Sequence, residues 1–350
     1  MNNRNEIDIP SKLPHRLAVL LVCVTFPLLF VGGLVTTKQA GMAVPDWPNT
    51  YGYNLLLYPL TSWIGGPLDL LLEHSHRLLG ALAGFLTIGL VIVLKYKDRR
   101  PSMFWWGIGG LVLVLVQGGL GGIRVLFDDR DFAKIHGCTG PLFFAYSTML
   151  AVWTSSYWQE TRSQQLQSGV KNSETHSKGS TELRKRTQRF WYLAIGFLLF
   201  AYTQLVLGAF LRHLVVTTNP HLYFWLAVCH ITLAFLLLFA SIVLMVFGKP
   251  FKANRRIKRV TSRIHLLVTL QVLLGIGTWA LKNGLPPGWA ETFSWTSDWL
   301  ILHETGFQTV VITSHVAMGS LILALSVMLV LRSYLYLVQN DKMAENKNAI

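Results

Sequence analysis

The sequence predicts an all-α polytopic membrane protein of eight transmembrane helices, arranged as two repeated four-helix bundles. Three observations carry that expectation. Of the 350 residues, 52% are hydrophobic and 14% are charged, against about 25% charged in an average soluble domain. Eight apolar stretches each run to roughly 20 residues, enough to cross a hydrocarbon layer of about 30 Å. The basic residues gather in alternate connections between those stretches.

In chain order, the first stretch (17–37) follows a segment containing Glu6 and Asp8, not an Arg-rich amphipathic pattern. It has no small-residue cleavage site, so it reads as a retained helix. The second (76–94) follows Glu73-His74-Ser75-His76-Arg77, and the third (104–126) is rich in glycine at Gly118, Gly119, Gly121 and Gly122. The fourth (136–158) opens on His136 after Lys134. Segment 159–189 is polar and lacks periodic hydrophobicity, which reads as a flexible cytoplasmic connector. The second half then holds stretches 190–211, 222–247, 264–281 and 311–331, the last unusually long. The expected organisation is an N-terminal half (1–158), a linker (159–189) and a C-terminal half (190–350). An outer loop, 283–310, contains Trp289, Trp295, Trp299, His303 and Glu304 and reads as resting at the lipid interface.

The formal net charge is +14, which taken alone would suggest nucleic acid. Its distribution excludes that reading. All 31 basic residues except Lys38, Arg77, Arg124, Arg130, Lys134, Arg212 and Lys282 fall on the side of the termini. This positive-inside asymmetry places both termini in the cytoplasm and makes the basic runs topology determinants and lipid-headgroup contacts. The three cysteines, Cys23, Cys138 and Cys229, lie within predicted helices, where a small buried apolar role is expected and no loop disulfide can be read.

Four histidines, His76, His136, His230 and His315, stand near the starts of the even-numbered stretches, at a common depth. An imidazole in a bilayer is costly without a partner and so points to function. Two pairs facing across helical bundles are how a protein holds haem iron from both sides. His230 and His315 lie inside apolar runs and need a hydrogen-bond partner or a metal. A Gln-x-x-x-Gly element recurs at Gln117–Gly121, Gln204–Gly208 and Gln271–Gly275, each one loop before such a histidine. The first stretch has Gly32 and Gly33 there without the glutamine. These glycines admit close approach of a helix or a flat macrocycle; ordinary small-residue packing is the alternative.

Glu73 and His76 share a helix face, with Arg77 beside them at the membrane edge. Together they offer an iron ligand, a proton-handling group and an anchor for a propionate; the alternative is a polar cap on a helix start. His74 is expected to face water.

These residues resemble the haem A synthases, the membrane enzymes that make haem A for terminal oxidases. The resemblance runs through nearly the whole chain. It rests on Glu-x-x-His-Arg at 73–77, the four helix-borne histidines and the outer-loop sequence Gly41-Met42-Ala43-Val44-Pro45-Asp46-Trp47-Pro48. It implies that His230 and His315 bind an electron-transferring haem b, and that His76 and His136 embrace the substrate, haem O, at its iron. The implied reaction oxidises the C8 methyl group of haem O to a formyl group, with Glu73 near the reacting edge and Arg77 on a propionate. A haem O synthase upstream, an unidentified electron donor or acceptor, the lipid bilayer and a homo-oligomer are the implied partners. The implied location is a bacterial cytoplasmic (inner) membrane. Some members carry a cysteine pair in the first outer loop, which this sequence lacks.

Two other classes fit part of the pattern. A di-haem, cytochrome b-like electron carrier uses four histidines equally well but does not ask for Glu73 beside His76. A transporter with repeated halves would use the histidines as proton relays, yet no charged residue stands near the expected midplane.

Overall fold

The computed structural model describes residues 11–168, 178–214, 219–248, 255–284 and 305–346. Among them the regular structure is helical: α1 (Leu13–Thr37), α2 (Leu60–Ile64), α3 (Leu68–Lys97), α4 (Pro101–Phe127), α5 (Arg130–Trp153), α6 (Ser156–Ser168), α7 (Lys178–His213), α8 (Pro220–Phe247), α9 (Arg255–Asn283) and α10 (Gly306–Asn346). Seven of these, α1, α3, α4 and α7 to α10, are long and apolar enough to cross a membrane. The remaining long helix, α5, carries Arg130, Asp131 and Lys134 in its first turns, which lowers its apolar character. It nevertheless packs as a full member of the bundle, against α1, α4, α7 and α10.

The chain makes two cycles of neighbours. In the first, α1 packs on α3, α3 on α4, α4 on α5 and α5 back on α1; in the second, α7, α8, α9 and α10 repeat the same order. The cycles meet where α10 lies against α1 and α5, and α5 against α7. Each has its own apolar core, one including Leu21, Leu90, Phe143 and Leu150, the other Phe190, Leu244, Ile264 and Leu329. Both cores occupy the end of the bundle nearer the termini. The opposite end is lined by the histidines and glycines, so the site sits away from the tightest packing. Outward-facing apolar side chains such as Phe85, Leu115 and Phe239, each more than half exposed, form the surface a bilayer would cover.

Helix ends follow local chemistry. Pro101 starts α4 at a position where a missing N–H costs nothing. Asp129 caps α5 by accepting the N–H groups of Asp131 and Phe132, and Asn219 caps α8 by accepting that of Leu222. Asp128 stands in the left-handed region at φ 48°, which turns α4 into α5 within two residues.

Several boundaries differ from expectation: α3 begins at Leu68 rather than 76, and α9 at Arg255 rather than 264. The fourth stretch breaks after Trp153, where Thr154 donates its hydroxyl to Leu150 O and Ser155 Oγ accepts Trp158 N–H, opening α6. The expected linker is helical at both ends, since α6 and α7 extend into 159–189. The last helix continues well past 331. Trp289, Trp295, Trp299, His303 and Glu304 lie outside the described residues.

Candidate functional site

Each helix pair in the two cycles uses the same device. The ring of His76 lies over Gly32 of α1, His136 over Gly121 of α4, His230 over Gly208 of α7 and His315 over Gly275 of α9. A methyl group added at these glycines would come within 2.7, 3.3, 3.0 and 3.0 Å, respectively, of the imidazole Cε1. The recurring glycine is therefore a seat for the next helix's histidine, a role sharper than general close packing.

The seat also sets the tautomer. His76 Nδ1 stands 3.2 Å from Leu28 O, and His315 Nδ1 stands 3.2 Å from Gln271 O. A carbonyl only accepts, so Nδ1 carries the proton and Nε2 presents a lone pair. The Nδ1 atoms of His136 and His230 are buried and meet no hydrogen-bond partner among the described residues, so the carbonyl contact that fixes the tautomer is made by His76 and His315. The glutamines brace the partner helix: Gln204 Nε2 donates to His230 O at 2.7 Å and Gln271 Nε2 to His315 O at 2.9 Å. Gln117 turns instead to Thr139 Oγ1.

The four rings form two pairs. His76 and His136 have ring centres 6.3 Å apart with planes at 89°; His230 and His315 have ring centres 6.3 Å apart with planes at 80°. A metal held between two imidazole nitrogens, with bonds of about 2 Å and about 1.1 Å from nitrogen to ring centre, spaces ring centres about 6.2 Å apart. Both pairs match that span. No cluster of three or more His, Cys, Asp or Glu suited to a metal occurs among the described residues. Two imidazoles are too few for a bare ion, whereas a macrocycle supplies the equatorial ligands itself. The residues present thus fit a metal macrocycle in each half.

Over the first pair folds the loop 38–67. Glu73 is buried, and both of its oxygens are engaged: Oε1 accepts Arg77 Nη2 at 2.7 Å and Oε2 accepts Val44 N–H at 2.9 Å. Arg77 also donates to Asp46 O at 2.6 Å, Asn49 O at 2.8 Å and Val44 O at 2.8 Å. The sequence resemblance implies a propionate for Arg77; in the structure its two terminal nitrogens clamp the loop. Asp46 accepts the N–H groups of Tyr51 at 2.8 Å and Gly52 at 2.7 Å. Partial burial works to raise its pKa, but these donors and the nearby Arg77 charge hold the carboxyl below its ordinary value. Its share of loop stability is therefore present above the ordinary carboxylate range and fades as pH falls through the lowered value.

His74 corrects an expectation. It is 1% exposed, not solvated, because the loop folds back over it: Thr50 Oγ1 lies 3.2 Å from Nδ1, and Tyr58 and Trp63 pack on the ring at 5.3 and 4.9 Å.

Other residues at this end were not singled out in sequence. Arg212 of α7 donates through Nη2 to Gly33 O at 2.6 Å and Thr37 Oγ1 at 2.7 Å, and Thr37 meets Thr313 at 3.2 Å. These contacts tie the two halves together beside both pairs. His213 lies against Gly137, next to His136. The only sequence signal for either was their place at the basic-poor end, one turn beyond Gly208.

No curated protein matches the chain. Residues 68–221, which carry Glu73, His76, Arg77 and His136, match the model of the COX15-CtaA family, cytochrome oxidase assembly protein, the family to which the sequence resemblance points.

Proposed function

We propose that this protein is a haem A synthase of a bacterial inner membrane, oxidising the C8 methyl group of haem O to a formyl group. The observation that carries the reading is the equal 6.3 Å span of the two histidine pairs. His76 and His136 hold the iron of haem O, and His230 and His315 hold a resident haem b. When bound, the haems supply the oxidising power and the electron path that side chains lack. The chain's own residues present Nε2 lone pairs from the carbonyl-held rings of His76 and His315, keep helix spacing through Gln204 and Gln271, and cover the first pair with the 38–67 loop. Glu73 sits one turn before His76 and places negative charge at that end of the pocket; Glu73→Gln retaining full haem A production would remove it from the reaction. Haem O enters from the bilayer, and a haem O synthase and an electron donor or acceptor are the partners.

The test is haem extraction with mass analysis from cells that make haem O and express either the intact chain or His76→Ala. Haem A with the intact chain and none with the variant is the expected result. Only unmodified haem B, with no haem A formed, would turn the assignment to a di-haem electron carrier.

The glycine seats give a finer prediction. Gly32→Ala places a methyl group 2.7 Å from His76 Cε1 and must displace the ring. We expect haem A formation to fall by at least tenfold, about the effect of a ligand misplaced by an ångström. Gly80→Ala, which meets nothing within 4 Å, serves as the matched control and should retain activity.

A further inference from the structure

Two arginines stand beside the first histidine pair, and they differ in what they touch. Arg77 has four acceptors, described above. Arg124, three residues beyond Gly121 on α4, lies with its guanidinium against the backbone of Gly41 in the 38–67 loop and is only partly exposed. Among the described residues no acceptor meets any of its N–H groups. Its nearest carboxylates do not complete it. Glu73 is engaged at both oxygens by Arg77 and Val44, and Asp128 is exposed at the end of α4. The other groups within its field are cationic or neutral: Arg77, His76, His136 and His213. A guanidinium carries five donors in a fixed fork and keeps its charge in proteins. One drawn out of water with no partner is unfavourable until an anion arrives.

The anion has to come from the ligand. Resting on the function proposed above, we propose that Arg124 is the seat for a carboxylate side chain of the macrocycle held between His76 and His136. Arg124 stands about one turn beyond the glycine that seats His136, on the helix facing the ring. It offers a propionate a two-pronged, charge-assisted contact. Arg77 holds the loop, and Arg124 reads the ligand's charge. The other half has a guanidinium at a comparable place, Arg212, four residues beyond Gly208, but its Nη2 is committed to Gly33 and Thr37. This makes the first pair the better equipped to select a charged edge.

The test uses the purified full chain with its resident haem, titrated by absorbance with ferric protohaem and separately with its dimethyl ester, which lacks the carboxylates. The binding lost in His76→Ala defines the N-terminal site. Wild type should prefer the free acid by about 10- to 100-fold, the range for a hydrogen bond to a charged group. Arg124→Gln should bring that preference close to one, and Arg124→Lys should keep part of it, since a point charge remains without the fork. Resident haem content and far-UV dichroism check that each variant is folded. A full preference in Arg124→Gln, no preference in wild type, or equal loss of both ligands in Arg124→Gln would each overturn the assignment while leaving a haem site in place. Absence of any His76-dependent binding would overturn the site reading itself, and the two failures are thereby distinct.

Discussion

Alanine at His315 or His230 is expected to abolish retention of the haem proposed for the second pair, while His76→Ala leaves that haem in place. On the proposed assignment, removing one imidazole would take away half of the side-chain ligands the chain offers a haem iron, and no third side chain stands ready to replace it among the described residues. The substitutions are clean ones. Gln204 and Gln271 donate to the main-chain carbonyls of residues 230 and 315, and those carbonyls survive in alanine variants. Helix spacing is therefore kept while the ligand is lost. The remaining cost, a cavity where a ring sat on Gly208 or Gly275, is on the order of 1–3 kcal/mol and leaves the bundle folded. The measurement is the reduced-minus-oxidised absorbance of each purified variant, scaled to protein. Haem retained at the wild-type level in His315→Ala would detach the second pair from haem binding. Equal loss in His76→Ala would mean that the two halves do not load independently.

How much of this was legible from the chain depends on range. The long helices were legible because their apolar runs are a local property, and the histidine pairs because the repeat put one imidazole in each even stretch. The break between α5 and α6 was hidden, since apolar character continues through Tyr157 and Trp158 and only the hydroxyls of Thr154 and Ser155 close one helix and open the next. The burial of His74 was hidden for a different reason. Its own helix puts it at the water's edge, and the cover comes from Thr50, Tyr58 and Trp63, whose path depends on how the whole loop folds back. The division of labour between Arg77 and Arg124 was illegible in the same way. Two arginines at one end of a bundle look alike in sequence, and the carbonyls of Val44, Asp46 and Asn49 decide which of them is already engaged. The glycines lie between these cases: their repetition was visible, but that each seats an imidazole follows only from the pairing of helices.

The clamp of Arg77 on Glu73 leads to the second large effect. Arg77→Ala should destabilise the protein by about 3–5 kcal/mol, because it leaves a buried carboxylate with one main-chain donor and no hydrogen-bonded cation, Arg124 lying nearby without a contact to it. The side chains of the pair are 9% and 4% exposed, and the contact is 2.7 Å, so the small values typical of surface ion pairs do not apply. Glu73→Gln should cost less, since it removes the charge and keeps an acceptor. Combining Glu73→Gln with Arg77→Ala should recover part of the loss, because no unpaired carboxylate remains. That non-additivity separates a buried ion pair from two independent packing effects. Thermal unfolding in detergent gives the stability order, and limited proteolysis between residues 38 and 67 reports whether the loop has come free. The loop should become cleavable in Arg77→Ala before the helices melt, since Arg77 holds three of its carbonyls directly. A change in Arg77→Ala within about 0.5 kcal/mol, the scale of an exposed substitution, with the loop still protected, would show that Tyr51, Asp46 and the packing on His74 hold the cover without the arginine.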